Sequence, residues 1–269
     1  MKNESNEIIR HRPVSGVTEQ HLEEFSVRGY TVIEGMLTEP ELSDIRKRLD
    51  EVYNVQVKEA KQNNYTLEEI NEQNIVRMPF AYDETFLKLL VLPVVIDYIN
   101  KIIGNYFILQ LQNGIIIIPD EKHHQGSWHR DLPYQYFISS KPLSVNALFC
   151  IDDFSEQTGA TCVLPFSHKM ENFPSEQYVA KQSKQVKAPA GSVILMDSMV
   201  FHRAGDNSSS APRRAINQVY VSGILKQQIN IPVLLNGKYR DDLFLKMLLG
   251  YDAAEPNSVN EYRLRKLKK

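Results

Sequence analysis

Ala190-Gly191-Ser192-Val193-Ile194-Leu195-Met196-Asp197-Ser198-Met199-Val200-Phe201-His202 is the stretch from which the fold is read. Its aliphatic run, residues 192–196, follows the turn Pro189-Ala190-Gly191 and is too short for a core helix. It reads as a buried strand. The segment then delivers His202 just ahead of a second turn, Gly205-Asp206-Asn207. A strand that ends on a histidine is by itself an ordinary core feature, so the neighbouring segments decide what it means.

Outward from this strand the same texture repeats. Residues 106–112, 114–118, 145–151, 160–164 and 215–223 are short β-rich runs, parted by Pro119-Asp120 and Gln157-Thr158-Gly159. Many short strands joined by Gly, Pro and Asn turns predict a sandwich or barrel. The first 104 residues read mainly as helix. Thr18 can cap a helix that passes Leu22 and Phe25 and stops at Gly29. Thr38-Glu39-Pro40-Glu41 is a capping box with an early proline, followed by Leu42, Ile45, Leu49 and Val52 at helical spacing. The polar stretch 58–74 either extends that helix or leaves it as a loop. A third helical region, 84–103, is interrupted at Pro93. Residues 240–249 predict a last helix, and 263–269 a solvated basic tail. The expected class is mainly β with a helical buttress (α+β), as one domain over residues 1–269. Its parts are a helical 1–104, a β core over 105–225 and a C-terminal helical extension with the tail over 226–269.

Composition narrows the function classes. With 31 basic and 33 acidic residues in 269 and a net charge of −2, no global field points to nucleic acid or an anionic membrane. Residues 1–10 are polar and charged, so no secretory signal is expected, and the longest aliphatic run, 115–118, is far too short for a membrane span. The two cysteines, Cys150 and Cys162, lie in apolar strand-like segments and read as reduced thiols. A cytoplasmic protein acting on a small molecule, with no nucleic-acid or membrane partner, is the expectation. Oligomeric state is not legible.

His129-Arg130-Asp131 places an imidazole and a carboxylate at positions i and i+2, which share a face of an extended chain. The motif alone is weak. Together with His202 it forms the two-histidine, one-carboxylate ligand set of non-haem Fe(II) oxygenases, with coordination positions left open. Arg213, at the start of the next strand, supplies a planar guanidinium able to grip a carboxylate in two-point fashion, as the distal carboxylate of 2-oxoglutarate requires.

Several stretches resemble the phytanoyl-CoA dioxygenase family, which includes the ectoine hydroxylases. They are Trp128-His129-Arg130-Asp131, Asn146-Ala147-Leu148-Phe149-Cys150-Ile151-Asp152-Asp153-Phe154 and Thr158-Gly159-Ala160-Thr161-Cys162-Val163-Leu164-Pro165-Phe166-Ser167-His168. Ala190-Gly191-Ser192 leading into His202, and Gly205-Asp206-Asn207 leading into Arg213, fit as well. So does the opening Gly29-Tyr30-Thr31-Val32-Ile33, and the likeness covers residues 18–222. It implies a double-stranded β-helix (jelly roll, cupin-like) with Fe(II) held by His129, Asp131 and His202. It also implies 2-oxoglutarate anchored by Arg213 and touched by Gln112, and O2 as oxidant. Phe166 departs from the family's usual glycine. Relatives that halogenate replace the carboxylate with a small residue; Asp131 is present, so the resemblance implies hydroxylation or a related oxidation.

Plainer readings stand beside these. Arg214 rivals Arg213, because adjacent strand residues face opposite ways and only one points inward. His123 and His124 read as loop residues, and His168 as structural. Trp128 either packs beside the site or supports it. Leu132-Pro133-Tyr134-Gln135-Tyr136-Phe137 follows the metal pair and is expected to line the substrate entrance, its Tyr and Gln giving an apolar face with hydrogen-bonding tips that suits a polar metabolite, and no basic groove is evident for an acyl-CoA. Two other classes share the fold: a divalent-metal isomerase or hydrolase, which needs no oxoglutarate anchor, and a non-catalytic binding protein, which should have lost a ligand.

Overall fold

The computed structural model describes residues 17–121 and 123–267, without the side chain of His124. Residues 1–10 and the end of the basic tail, 268–269, lie outside the described residues.

Capping chemistry starts the N-terminal helices where the sequence puts it. α1 (Glu19–Arg28) begins at Thr18, whose hydroxyl accepts from His21 N at 3.2 Å. It ends at Gly29 with φ 85°, a left-handed cap that favours glycine. α2 (Glu39–Gln62) opens on the reciprocal Thr38–Glu41 capping box and buries Leu42, Ile45, Leu49 and Val52 along one face. α3 (Thr85–Leu90) and α4 (Pro93–Ile102) divide at Pro93, which starts the second of them.

Two segments upstream of residue 104 correct the helical reading. β1 (Tyr30–Ile33) and β2 (Ile75–Arg77) are strands at the two edges of the main sheet. Three or four residues carry no readable periodicity; pairing decides them, Tyr30–Ile33 against Met196–Val193 and Ile75–Arg77 against Ile115–Asn113. β3 (Phe107–Ile117) is one strand where two runs broken near Gly114 were expected. That glycine makes no turn. It lets α2 close onto the sheet, since a Cβ there would meet Leu49 Cδ1 at 2.3 Å.

β4 (Ser144–Cys150), β5 (Cys162–Val163), β6 (Lys184–Gln185), β7 (Val193–Asp197), β8 (His202–Arg203) and β9 (Arg213–Ser222) complete the framework, with α5 (Glu176–Gln182) before β6. The strands form a six-stranded antiparallel sheet, β1-β7-β4-β9-β3-β2, and a three-stranded sheet, β6-β5-β8. Alternation along the inner strands separates two faces. Val145, Ala147, Phe149, Val193, Leu195, Ile216 and Tyr220 pack with the apolar stripes of α2, α3 and α4. Leu148, Cys150, Ile194, Met196 and Ala215 pack with Val163 of the small sheet and Ala204 just beyond it. The result is the expected jelly-roll arrangement, two facing sheets with helices on one side, and no closed barrel.

After β9 come α6 (Ile231–Leu234), α7 (Leu243–Leu248) and α8 (Val259–Leu267). α7 starts at Asp242, which accepts from Leu245 N at 2.9 Å, so the helix expected over 240–249 is shorter. α8 runs through residues 263–267, which the sequence suggested were a plain solvated tail. Among the described residues no helix is long and apolar enough to cross a membrane, and both cysteines are free.

Candidate metal centre

His129 and His202 meet through the backbone before their side chains meet. They form an isolated antiparallel bridge, His129 N donating to His202 O at 2.9 Å and His202 N to His129 O at 3.0 Å. Asp131 is tied alongside by its N–H donating to Ser198 O at 3.1 Å. One ligand-capable atom from each of His129, Asp131 and His202 lies within 4.8 Å of the other two. His202 Nε2 is 3.8 Å from Asp131 Oδ1.

The remaining nitrogens and oxygens fix how these groups point. His129 Nδ1 is 2.8 Å from Ser127 O, and His202 Nδ1 is 3.0 Å from Val200 O. A carbonyl can only accept, so each Nδ1 carries the hydrogen and each Nε2 keeps its lone pair toward the cluster. Burial lowers the pKa of His202, against the pull of nearby Asp131, and His129 lowers it further. A neutral imidazole is the form that binds a metal. Asn146, an amide between Val145 and Ala147 in β4, donates through Nδ2 to Asp131 Oδ2.

Arg130, between the two ligands, faces the opposite way and is half-buried. Its guanidinium donates to Met199 O (2.8 Å), Ser167 O (2.9 Å), Glu171 O (2.9 Å) and Met170 O, and lies 3.7 Å over the Phe201 ring. It clamps the ligand pair to the 167–171 segment and, through Met199, to the loop carrying His202. The sequence reading missed this role and that of Asn146. An arginine placed out of phase with two ligands, and an amide in a buried strand, were the available signals.

Arg213 and Arg214 separate as alternation requires. Arg214 faces outward to α2, bonding both oxygens of Asp50 at 3.0 and 2.8 Å, with Asp152 at 3.4 Å. Arg213 is 98% buried by its 2% exposure, stacks 4.1 Å over Phe154, and has no hydrogen-bonded or ion-paired side-chain partner among the described residues. Burial pulls its pKa down to about 10, so it still carries its charge at neutral pH. It lines the same cavity as His129, Asp131 and His202, together with Asn146, Asn217 and Thr161. Asn146 Oδ1, Asn217 Oδ1 and Arg213 Nε are all buried there without partners. Three clustered unpartnered polar atoms are what an absent polar ligand leaves behind.

Gln112 requires a correction. It lies one residue out of phase with the cavity-lining Ile115 face of β3 and points to the helices. Its Oε1 accepts from Phe80 N (3.1 Å), and its Nε2 donates to Phe86 O (2.9 Å) and Gln218 Oε1 (2.7 Å). Every polar group it has is engaged in tying β3 to the helical layer, so it is not an oxoglutarate contact.

The other histidines are structural where they are described. His123 accepts from Gln125 N at 3.2 Å and begins a short 3-10 turn. His168 is buried and packs against Gly29, with Nε2 3.2 Å from Ser26 O. Trp128 stacks near Phe173 and Arg203. A second cavity, about 530 Å³, adjoins the first at Asp131 and is bounded by Leu132, Pro133, Tyr134, Gln135 and Phe137. Its wall is mostly apolar, with the tips of Tyr134 and Gln135 among it.

A family model described as Phytanoyl-CoA dioxygenase (PhyH) matches residues 25–215. An uncharacterized protein of Mycobacterium tuberculosis is 34% identical over 244 residues, 87% of this chain and 87% of its own. The dioxygenase olcK of Penicillium canescens is 30% identical over 122 residues, 42% of this chain and 38% of the fungal protein. Among solved structures, HygX from Streptomyces hygroscopicus, with nickel and 2-oxoglutarate bound, gives a TM-score of 0.61 at 17% identity, over 81% of this chain and 91% of its own. The non-heme alpha ketoglutarate dependent epimerase SnoN from nogalamycin biosynthesis gives 0.58 at 16% identity, over 76% and 83%. At such identities the structural likeness speaks for the fold.

Proposed function

The chain belongs to the phytanoyl-CoA dioxygenase family, and on that premise we propose that it is an Fe(II)- and 2-oxoglutarate-dependent dioxygenase. It hydroxylates an unactivated C–H bond of a small molecule, consuming O2 and releasing succinate and CO2. His129 and His202 through Nε2, with Asp131 through its carboxylate, hold the iron, and Arg213 anchors the distal carboxylate of 2-oxoglutarate. Bound iron supplies the oxidising chemistry, with oxoglutarate as the electron-donating co-substrate.

The chain's own residues provide position. The carbonyls of Ser127 and Val200 fix the tautomer and ring plane of the two histidines. Asn146 holds one oxygen of Asp131, leaving the other toward the cluster. The single observation that carries the reading is Arg213, a buried guanidinium with no hydrogen-bonded or ion-paired partner among the described residues, in the cavity of the three ligands. Burying a cation so is costly unless an anion joins it. A Lewis-acid isomerase or hydrolase has no use for such a group, and a binding protein derived from the fold has no reason to keep all three ligands.

Anaerobic addition of Fe(II) and then 2-oxoglutarate is expected to develop a weak visible charge-transfer band, with none from Fe(II) alone. No band after both additions overturns the reading. Product mass then decides the outcome class: gain of one oxygen marks hydroxylation, whereas no gain points to an outcome such as the epimerisation named for SnoN.

A further inference from the structure

The larger cavity carries information about the substrate that the metal centre does not. It touches the cluster only at Asp131, so whatever fills it reaches the metal from that side. We propose that this cavity is the substrate site, and that the substrate is an uncharged, largely apolar, ring-bearing molecule with a few hydroxyl or carbonyl groups. This deepens the dioxygenase reading and rests on it.

Size comes first. About 530 Å³ lies within the range that accommodates a drug-sized ligand, well beyond an amino acid or a simple sugar. Next is the wall, where Leu111, Leu132, Pro133, Phe137, Leu143 and Leu225 supply a continuous apolar lining. Among the described residues two charged ones border it. Asp131 is a proposed metal ligand, and Lys226 stands at the rim, 89% exposed and 3.4 Å from Glu255. A phosphate, carboxylate or coenzyme A group seated here would leave water with only the exposed, Glu255-paired Lys226 as a counter-ion, which the chemistry of burial disfavours.

The other polar groups, four glutamine amides and the Tyr134 hydroxyl, are neutral. Gln227 is occupied by Leu109 O and Leu249 O, and Gln110 donates to Lys226 O. Gln135, 9% exposed, donates to Phe137 O and has an Oε1 with no partner among the described residues, an acceptor suited to a hydroxyl. Rings are indicated by the rim. Tyr134 and Phe137, which border the cavity, are 86% and 55% exposed, aromatic faces that no core packing uses. Flat aromatic faces beside a cavity favour stacking against flat substrates.

The test uses the apo protein and two fluorescent probes: a neutral propionyl-dimethylaminonaphthalene and a sulfonated naphthalene of similar size. Saturable one-to-one binding of the neutral probe is expected, with the sulfonated one at least ten-fold weaker. Leu225→Glu should weaken the neutral probe at least ten-fold. Phe137→Ala, at a half-exposed position that folding tolerates, should weaken it several-fold and decides the matter if the first variant fails to fold. Equal affinity for the two probes, or neutral-probe binding unchanged in the folded variants, overturns the proposal. The iron–oxoglutarate band is read separately on the wild-type protein. A band without selective probe binding sinks the substrate class alone, and probe binding without a band sinks the dioxygenase reading.

Discussion

The two faces of β9 bury polar side chains on opposite terms. Toward the helices, Arg214 is matched by Asp50 and Asp152, and Gln218 donates to Leu89 O at 3.1 Å while accepting from Gln112. Toward the small sheet, Arg213 and Asn217 retain unpartnered atoms, as does Asn146 on neighbouring β4. One strand, read two residues at a time, thus separates groups that serve the fold from groups held for a ligand. Buried polar atoms are nearly always satisfied in native proteins, so the side that violates the rule marks the site.

The comparison breaks most visibly at the metal ligands. His129→Ala or His202→Ala should abolish turnover and weaken Fe(II) binding by about 100-fold or more, as an iron titration would register. Full activity in either variant removes the metal assignment.

Next come the paired substitutions on opposite faces. Arg213→Met should raise the oxoglutarate requirement by a factor corresponding to about 2–5 kcal/mol. The same change should make the apo protein more resistant to denaturant, because it removes a buried charge without a partner. Gln112→Leu should do the reverse. It leaves Phe80 N, Phe86 O and Gln218 unpaired, costing about 1–3 kcal/mol in stability while the oxoglutarate requirement stays put. Oxoglutarate-dependent succinate formation and urea unfolding read both quantities. If Arg213→Met loosens the apo protein and Gln112→Leu alters the requirement, the division of faces is wrong.

Asp197 sharpens the contrast as a buried carboxylate with a single partner. Its Oδ1 accepts from Met199 N at 2.9 Å, and burial pushes its pKa from 3.8 up to about 6. The folded state therefore holds this proton more tightly than the unfolded chain. Its contribution to stability is fullest below about pH 4 and is lost as pH rises to about 6, a change of about 3 kcal/mol. Asp197→Asn keeps an acceptor for Met199, so stability measured across pH 4–7 should lose that slope and gain near neutrality.

The smallest effect is expected at Phe166, which is 48% exposed and holds φ 67°. Phe166→Gly removes the steric cost of a left-handed side chain and adds chain entropy to the unfolded state, for a net gain of about 0.5–1 kcal/mol by thermal unfolding.

What the sequence allowed to be read follows from length of pattern. α1 and α2 carry caps plus several turns of periodicity, and the inner strands carry runs of β-branched residues between turns; all were legible. β1 and β2 were not, since their strand character lies in Met196–Val193 and Ile115–Asn113 across from them. The same limit governed the site. His129, Asp131, His202 and Arg213 follow from spacing and resemblance, whereas Gln112 needed the phase of β3 relative to the cavity. That phase is set by pairing with β9, which places Gln112 opposite Gln218 and Ile115 opposite Ala215, and local sequence does not announce it.

The clamp made by Arg130 has a consequence for how the 167–171 segment can change over time. Its guanidinium reads main-chain carbonyls at 167, 170, 171 and 199, and every amino acid offers the same carbonyl. Met170 and Glu171 are therefore free to drift without disturbing the alignment of the ligands, while Arg130 itself is not. The geometry is insulated from the letters of the loop that maintains it, so variation there can reshape the outer surface and leave the metal centre as it was.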